Sequence, residues 1–255
     1  HVPAFSQLID AFWEGENDVV PALDAIADTT SVSPYTLYLL FFVCLARDTR
    51  EHYAEAGIPD EIYVESMMDL KWKLLECMQV HGVPGTFVPT WFPDFFRRKR
   101  FALGRLQFEK IDFYHDTPPL RKGDPVLNIH IPSAGPLTVD ACMDSFRRAY
   151  AFYRDSFDGS SIVFLCHSWL LYPGNAEFLP KDSNILTFAN LFQLIESWDD
   201  EKGTDLWRIF GADWKNPPEA LPRNTSIQRA LSDRLATGKG LGMGVGILVL
   251  DETKK

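Results

Sequence analysis

The sequence is poor in positive charge. Its 255 residues carry 25 Lys plus Arg against 35 Asp plus Glu, which gives a formal net charge of −10. A surface of that sign repels phosphate backbones, and the one short basic run, Arg97 to Arg100, is too small to offset it. We therefore expect no nucleic-acid partner.

The sequence also lacks paired cysteines. The four that are present, Cys44, Cys77, Cys142 and Cys166, are scattered, and none belongs to a C-x-x-C pair. Such free thiols are typical of a reducing compartment, so the expected location is cytoplasmic. Cys77 and His81 have the i, i+4 spacing of two ligands on one helix face, but no further ligand lies nearby in the sequence. We expect no metal site.

Long apolar runs are missing as well. The longest, from Leu37 to Ala46, has ten residues, about half of what a membrane-spanning helix requires. The first residues show no basic segment followed by an apolar one, so we expect neither a secretory signal nor a membrane partner. With 46% hydrophobic and 24% charged residues, the composition is that of a globular protein and excludes disorder as the main state.

Apolar periodicity changes near residue 98. Before it, helical spacing predicts helices near 8–12, 23–26, 34–45, 60–80 and 91–98. After it, the pattern predicts strands over 103–113, 126–131, 161–171, 206–210 and 241–250, and helices over 138–155, 184–198 and 226–236. The expected fold class is α+β with an α/β-like part: a helical N-terminal domain, 1–97, precedes a mixed sheet with flanking helices, 98–255.

The segment from Val126 to Tyr172 is the most informative. A strand, a loop, a helix and a second strand in this order predict a right-handed crossover between two parallel strands. Ligands bind beyond the C-terminal ends of such strands, where the N-terminus of the helix offers N–H groups to an anion. The loop from Ile131 to Thr138 is small and rich in turn residues, as in a phosphate site, although a plain tight connection has the same composition.

Four short sequence segments resemble those of a known family. They are Gly104–Glu109 (GRLQFE), Asn128–Pro132 (NIHIP), Cys166–Pro173 (CHSWLLYP) and Ser183–Ile185 (SNI). Together they resemble a bacterial family of acyltransferase-domain proteins, which join a helical N-terminal domain to a C-terminal domain like the GNAT acyltransferases. The resemblance covers nearly the whole chain. It implies a GNAT-like sheet with two splayed central strands, acetyl-CoA or another acyl-CoA in the notch between them, and a small-molecule substrate.

The resemblance also implies a set of cofactor-binding residues. The candidates are Ile131, Ser133, Ala134, Gly135, Leu137, Thr138 and Asn184. The usual GNAT diphosphate loop reads Arg or Gln, two residues, Gly, one residue, then Gly or Ala. Aligned on Gly135, this loop has Pro132 first and Leu137 last, and Pro136 lacks an N–H group. Asp140, in the first helical turn, would oppose a bound diphosphate. These departures predict weaker phosphate recognition than usual.

His130 is the first catalytic candidate. It ends the first central strand and shares a face with Asn128. Acyl transfer to an amine requires a base that takes the ammonium proton, and a neutral imidazole at a splayed strand end suits that role. Glu109 is a second base candidate if its strand faces the same cleft. A hydrogen-bonded structural histidine remains the alternative for His130.

Ser168 is the third candidate, on the second central strand. Cys166 and Ser168 share one face of that strand and His167 lies on the other, so Cys166 and His167 cannot form a dyad. Cys166 is expected to be a buried small side chain rather than a nucleophile. Ser168 does not lie in a G-x-S-x-G elbow, which argues against a serine hydrolase.

Glycine occupies alternate positions from Gly238 to Gly246. A dinucleotide-binding fingerprint must follow a strand and open a helix, whereas this run leads into the last strand. Alternate glycines leave one face of a strand bare, so that another backbone or a ligand can approach closely. We expect tight packing there and no nicotinamide cofactor.

The sequence leaves two functions open. The first is an acyl-CoA-dependent N-acyltransferase that acts on an amine or similar nucleophile. The second is a non-catalytic GNAT-like module that binds an acyl-CoA or another small ligand. His130 favours the first. The degraded loop favours the second, as does the lack of the tyrosine acid that GNAT enzymes often carry, whose region here holds Phe188, Leu191 and Phe192.

Overall fold

A computed structural model describes residues 2–15 and 18–251, and the chain divides into two compact units, 1–102 and 103–255. The helices of the first unit are α1 (Val2–Glu14), α2 (Val20–Thr29), α3 (Pro34–Glu55), α4 (Asp60–His81) and α5 (Pro93–Phe96). No helix in the described ranges combines the length and the apolarity that crossing a bilayer demands.

The first unit is held together by aromatic side chains. Phe12, Phe41 and Phe42 are fully buried, and Phe42 stacks on Phe96 with ring centroids 5.4 Å apart. Pro34 fills the first helical position of α3, and Gly82, at φ 68°, ends α4. The helical character predicted for this half is confirmed.

A six-stranded mixed sheet lies in the second unit, except that its first strand begins in the last residues of the first unit. Its strands are β1 (Arg100–Leu103), β2 (Leu106–Asp112), β3 (Pro125–His130), β4 (Ser161–Ser168), β5 (Gln193–Asp199) and β6 (Gly242–Asp251), in the order β1-β2-β3-β4-β6-β5. The helices are α6 (Val139–Tyr153), α7 (Asn184–Ala189), α8 (Trp207–Phe210) and α9 (Ser226–Ala236). β3 and β4 run parallel, whereas the β2–β3, β4–β6 and β5–β6 pairs are antiparallel. The predicted fold class and the parallel crossover through α6 are confirmed.

The sheet has two different faces. On the face that α6 covers, Phe146 packs against Phe108 and Phe164, with ring centroids 6.1 and 5.2 Å away. On the face opposite α6, Leu165 and its neighbours on β3 and β6 form a smaller apolar cluster. Because strand side chains alternate between faces, Asn128 and His130 belong to this opposite face.

The helix predicted over 184–198 is wrong in its second half. α7 ends at Ala189, and residues 193–199 form β5, which pairs with β6. The spacing of Ile185, Phe188 and Ile195 fits one helix, but a strand partner some fifty residues further on decides the structure. The acidic run at 199–201 therefore begins at the end of a strand, and Asp200 accepts hydrogen bonds from the N–H groups of Lys202 and Thr204.

Three strand predictions also need correction. Residues 206–210 contain the short helix α8 instead of a strand. A segment of five residues is too short for its apolar spacing to separate strand from helix. The strand predicted over 103–113 is interrupted by a turn at Gly104, whose φ of 76° breaks the extended backbone. The strand predicted over 161–171 ends at Ser168, and Trp169–Leu171 form a 3-10 turn.

The alternate glycines of β6 allow another segment to cross the strand. A Cβ on Gly244 would lie 2.5 Å from the carbonyl oxygen of Leu171, and one on Gly242 would lie 2.3 Å from the ring of Tyr172. Both distances are far below van der Waals contact, so only glycine fits. The close packing predicted from the glycine pattern is confirmed.

Candidate active site

The two parallel strands are paired over a short stretch only. The β3–β4 register joins Leu127, Asn128 and Ile129 to Phe164, Leu165 and Cys166. Beyond this point β3 ends at His130, whereas β4 continues to Ser168 alongside β6. Side chains at the end of β3 therefore lie where the two central strands part.

His130 and Glu109 meet at this strand end. In the antiparallel β2–β3 register Glu109 lies opposite Asn128, which places Glu109 diagonally from His130 on the face opposite α6. The Nε2 atom of His130 is 2.7 Å from Oε1 of Glu109. Asn128 donates from Nδ2 to the same Oε1 atom at 3.0 Å. Glu109 thus accepts from two neighbours on β3.

This contact favours one imidazole tautomer. An ionised carboxylate only accepts hydrogen bonds, so a neutral imidazole that donates to Glu109 carries its proton on Nε2 and its lone pair on Nδ1. The Nδ2 atom of Asn128 is also 3.2 Å from Nε2 of His130. The side chains of His130 and Glu109 are 20% and 14% exposed. They are sheltered enough for a strong charge-assisted hydrogen bond and still open to a ligand. A carboxylate–imidazole pair of this kind can act as a general base.

A second histidine lies on the face opposite α6, next to a tryptophan. Alternation along β4 places His167 with Leu165, on the face of His130, and the His167 ring lies 5.3 Å from that of Trp198. Burial lowers the pKa of His167 below its ordinary value, so its ring is neutral at pH 7. Sequence reasoning gave neither residue a role, because the strand nature of β5 was missed.

Ser168 lies on the other face of the sheet. It is paired with Gly244, and its Oγ atom accepts from the N–H of Leu170 at 3.2 Å, where it caps the 3-10 turn. The structure therefore does not bring Ser168 to the His130–Glu109 pair. Cys166 is on the same face as Ser168 and fully buried, and burial raises the pKa of its thiol far above the ordinary value.

The loop after β3 leads directly into α6. Thr138 is the N-cap, and its Oγ1 atom accepts from the N–H of Ala141 at 3.4 Å. Gly135 adopts φ 70°, and Ser133 and Thr138 are exposed. Leu137 is buried, with 8% of its surface exposed. Ile131, Ser133, Ala134, Gly135, Leu137 and Thr138 all lie in this one continuous segment.

Arg105 contacts the loop after β3, and sequence reasoning gave it no role. Its guanidinium donates to the carbonyl oxygens of Pro132, Gly135 and Pro136 at 2.9, 3.1 and 3.2 Å. Burial lowers the pKa of this guanidinium from its ordinary value. The sequence does indicate a turn at Arg105, through the Gly-Arg dipeptide of the segment GRLQFE. It does not show that the Arg105 side chain contacts a loop about thirty residues further on.

The last cofactor candidate, Asn184, is the first residue of α7. Ser183 caps this helix through a bond from the N–H of Leu186 to its Oγ at 3.3 Å, as the sequence predicted. The Asn184 side chain is exposed, and no hydrogen bond within the described part of the chain links it to the loop 131–138. Its role in cofactor binding stays a prediction.

The Cys77 and His81 pair sits in the helical unit. Cys77 is fully buried, and burial raises the pKa of its thiol. The ring of His81 packs against Tyr35 and Phe87, with centroids 4.8 and 4.9 Å away. Within residues 2–15 and 18–251, no three His, Cys, Asp or Glu side chains come together as metal ligands would.

Solved structures with the same fold are acyltransferases. An acyltransferase in complex with decanoyl-CoA and teicoplanin superposes with a TM-score of 0.74 at 27% identity, over 85% of this chain and 67% of that chain. A tryptophan-to-alanine variant with octanoyl-CoA gives 0.74 at 26%, over 85% and 67%. An acyltransferase with CoA and 10C-teicoplanin gives 0.73 at 26%, over 84% and 66%. The chain thus spans about two thirds of the length of these proteins. No curated protein matches it.

Family models divide the chain in the same order. The N-acyltransferase N-terminal domain matches residues 4–98, and the GNAT-like C-terminal domain matches residues 101–248. The second model alone covers more than half of the chain, and the mixed sheet with its parallel β3–β4 pair agrees with it. The chain belongs to the family of acyltransferases that join an N-acyltransferase N-terminal domain to a GNAT-like C-terminal domain.

Proposed function

We propose that this protein is an acyl-CoA-dependent N-acyltransferase, in which the His130–Glu109 pair is the general base. The contact that carries the proposal is the one between Nε2 of His130 and Oε1 of Glu109, at the point where β3 and β4 part. Both side chains are partly exposed, at 20% and 14%, so a substrate can reach the pair. The acceptor is a small molecule with an amine or a similar nucleophile.

The proposed reaction is direct transfer. The acceptor amine attacks the thioester carbonyl, a C–N bond forms and the C–S bond breaks. Nδ1 of His130 takes the ammonium proton, and Glu109 stabilises the imidazolium that results. The leaving CoA thiolate takes up that proton, which returns His130 to its neutral state.

Acyl-CoA is the proposed cosubstrate. Similar structures hold decanoyl-CoA, octanoyl-CoA and CoA, and the loop 131–138 followed by the capped N-terminus of α6 supplies N–H donors for the diphosphate. We further propose domains over 1–97 and 98–255, and a cytoplasmic location, which the absence of any disulfide among the four cysteines supports.

The test combines binding and turnover. Isothermal titration with octanoyl-CoA, decanoyl-CoA and free CoA measures affinity, and a thiol reagent measures CoA release in the presence of amine acceptors. We expect micromolar binding, and we expect H130A to lower kcat at least about 100-fold while Kd for octanoyl-CoA stays within about twofold. H81A, a histidine in the helical unit, is the matched control.

Three results would contradict the proposal. If the folded protein bound no acyl-CoA, acyl-CoA could not be its cosubstrate. Equal loss of binding and turnover in H130A would make His130 structural. Binding by the wild type without turnover of any acceptor would favour the alternative, a non-catalytic acyl-CoA-binding module.

A further inference from the structure

The loop that follows β3 contains no basic residue, yet a positive charge lies against it. Arg105 in the β1–β2 turn donates three hydrogen bonds to the carbonyls of this loop. The turn is itself tied to α6, because Oγ of Ser145 accepts from the N–H of Arg105 at 2.7 Å. Ser145 is fully buried, and a Cβ on Gly104 would lie 2.9 Å from its Oγ atom. Arg105 is therefore held in place from its backbone as well as its side chain.

The three carbonyl contacts set the direction of the neighbouring N–H groups. In a planar trans peptide the C=O of one residue and the N–H of the next point in opposite directions. The carbonyl of Pro132 faces Arg105, so the N–H of Ser133 faces away from it. The carbonyl of Pro136 does the same for the N–H of Leu137. Both N–H groups thus point away from the guanidinium of Arg105.

The charge of Arg105 is not neutralised by a carboxylate. Its guanidinium partners in the described residues are carbonyl oxygens only. A guanidinium bound to carbonyl oxygens keeps its full positive charge, and it further polarises the peptide units to which it is bound. Asp140 in the first turn of α6 carries a negative charge that would repel a bound diphosphate. The positive charge of Arg105 behind the loop offsets this repulsion.

We infer that Arg105 is the positioning residue of the diphosphate site: it turns the N–H groups of Ser133 and Leu137 outward and places one positive charge behind them. This inference rests on the proposed function, since the diphosphate is that of an acyl-CoA. It also accounts for a loop that lacks the Arg or Gln and the second glycine of the usual GNAT pattern. Arg105 acts through the loop and does not touch the reacting atoms.

The test compares three ligands that differ in their phosphates. Octanoyl-CoA carries the diphosphate and the 3′-phosphate, octanoyl-dephospho-CoA carries only the diphosphate, and octanoyl-pantetheine carries neither. For R105Q we expect Kd to rise at least about tenfold for the first two ligands and to stay unchanged for octanoyl-pantetheine. R121Q removes one positive charge from the exposed loop before β3, at the other end of that strand, and is expected to change none of the three.

A second variant guards against misfolding. R105K keeps the charge, but one ammonium cannot bridge three carbonyls in the manner of a planar guanidinium. We expect it to bind octanoyl-CoA more weakly than the wild type and more tightly than R105Q, with octanoyl-pantetheine again unchanged. If R105Q does not fold, the wild type and R105K alone decide the question by the same comparison.

Each failure has its own signature. A wild type that binds no octanoyl-CoA overturns the proposed function, and this inference with it. A wild type that binds all three ligands, with R105Q equal to it, overturns the role of Arg105 alone. If R105Q lost affinity for octanoyl-pantetheine as much as for the other two ligands, Arg105 would be merely structural. If R105Q lost affinity for octanoyl-CoA alone, Arg105 would act on the 3′-phosphate. Both results overturn the inference.

Discussion

The carboxylate of Glu109 lies 2.7 Å from Nε2 of His130, although the two residues are on different strands and are not register partners. For E109Q we expect kcat to fall about 10- to 100-fold, because a neutral amide no longer stabilises the imidazolium that forms during transfer. Kd for octanoyl-CoA should stay within about twofold. Steady-state kinetics and titration check this.

Glu196 offers the matched control for that variant. It contacts His115 at 3.4 Å, and both side chains are more than 40% exposed. E196Q therefore removes a carboxylate from a histidine contact outside the proposed base, and kcat is expected to change less than about twofold. A kcat for E109Q that equals that of E196Q would show that Glu109 has no part in the reaction.

The crossing of β6 by the chain at Leu171 predicts a sharp difference between two glycines. G244A places a methyl group 2.5 Å from the carbonyl oxygen of Leu171, so we expect it to destabilise the fold by about 1–3 kcal/mol. In G240A the nearest atom is 3.7 Å away, and no loss is expected. Thermal unfolding of both variants checks the pair, and equal Tm values would disprove the tight crossing.

Cysteine reactivity gives a third prediction. Cys44 is exposed, whereas Cys77, Cys142 and Cys166 are buried, and burial raises the pKa of the Cys142 thiol to about 11. Since the thiolate is the reactive form, native protein at pH 8 should react with Ellman's reagent at one thiol, and denatured protein at four. C44S should abolish the reaction of the native protein. Rapid reaction of a second thiol would contradict the burial of the other three.

Because of His167, we expect the free energy of unfolding to depend on pH. Burial lowers the pKa of its folded form, so between that pKa and about 6.5 the unfolded chain binds the proton and the folded chain does not. Its contribution to the free energy of unfolding is therefore complete above about pH 6.5 and declines as the pH falls. In H167Q we expect a smaller drop in Tm between pH 7 and pH 5. An identical drop in wild type and variant would contradict this account.

Local signals predicted the elements around the site well. Thr138 and Ser183 are helix caps in the sequence and in the structure, and the apolar run of β3 is bounded by prolines at 125 and 132. Such signals lie within a few residues of the element they define. For the same reason the parallel crossover through α6 could be inferred before any coordinates.

Long-range partners decided what local signals could not. β5 exists because β6 pairs with it, and the periodicity of Ile185, Phe188 and Ile195 gave no hint of that partner. His130 and Glu109 were each base candidates, but their contact depends on a β2–β3 register that no local pattern specifies. Arg105 was missed because its three acceptors lie far along the chain.

The bare glycine face of β6 also affects the order in which the strands of the sheet separate. β6 is flanked by β4 and β5, and the segment from Trp169 to Tyr172 lies across its bare face. The strand cannot separate from its neighbours until that segment lifts away. Its amide hydrogens should therefore exchange with solvent only through global opening of the second unit, while those of the edge strand β5 exchange through local fraying. The order in which the strands open is thus set by residues that have no side chain.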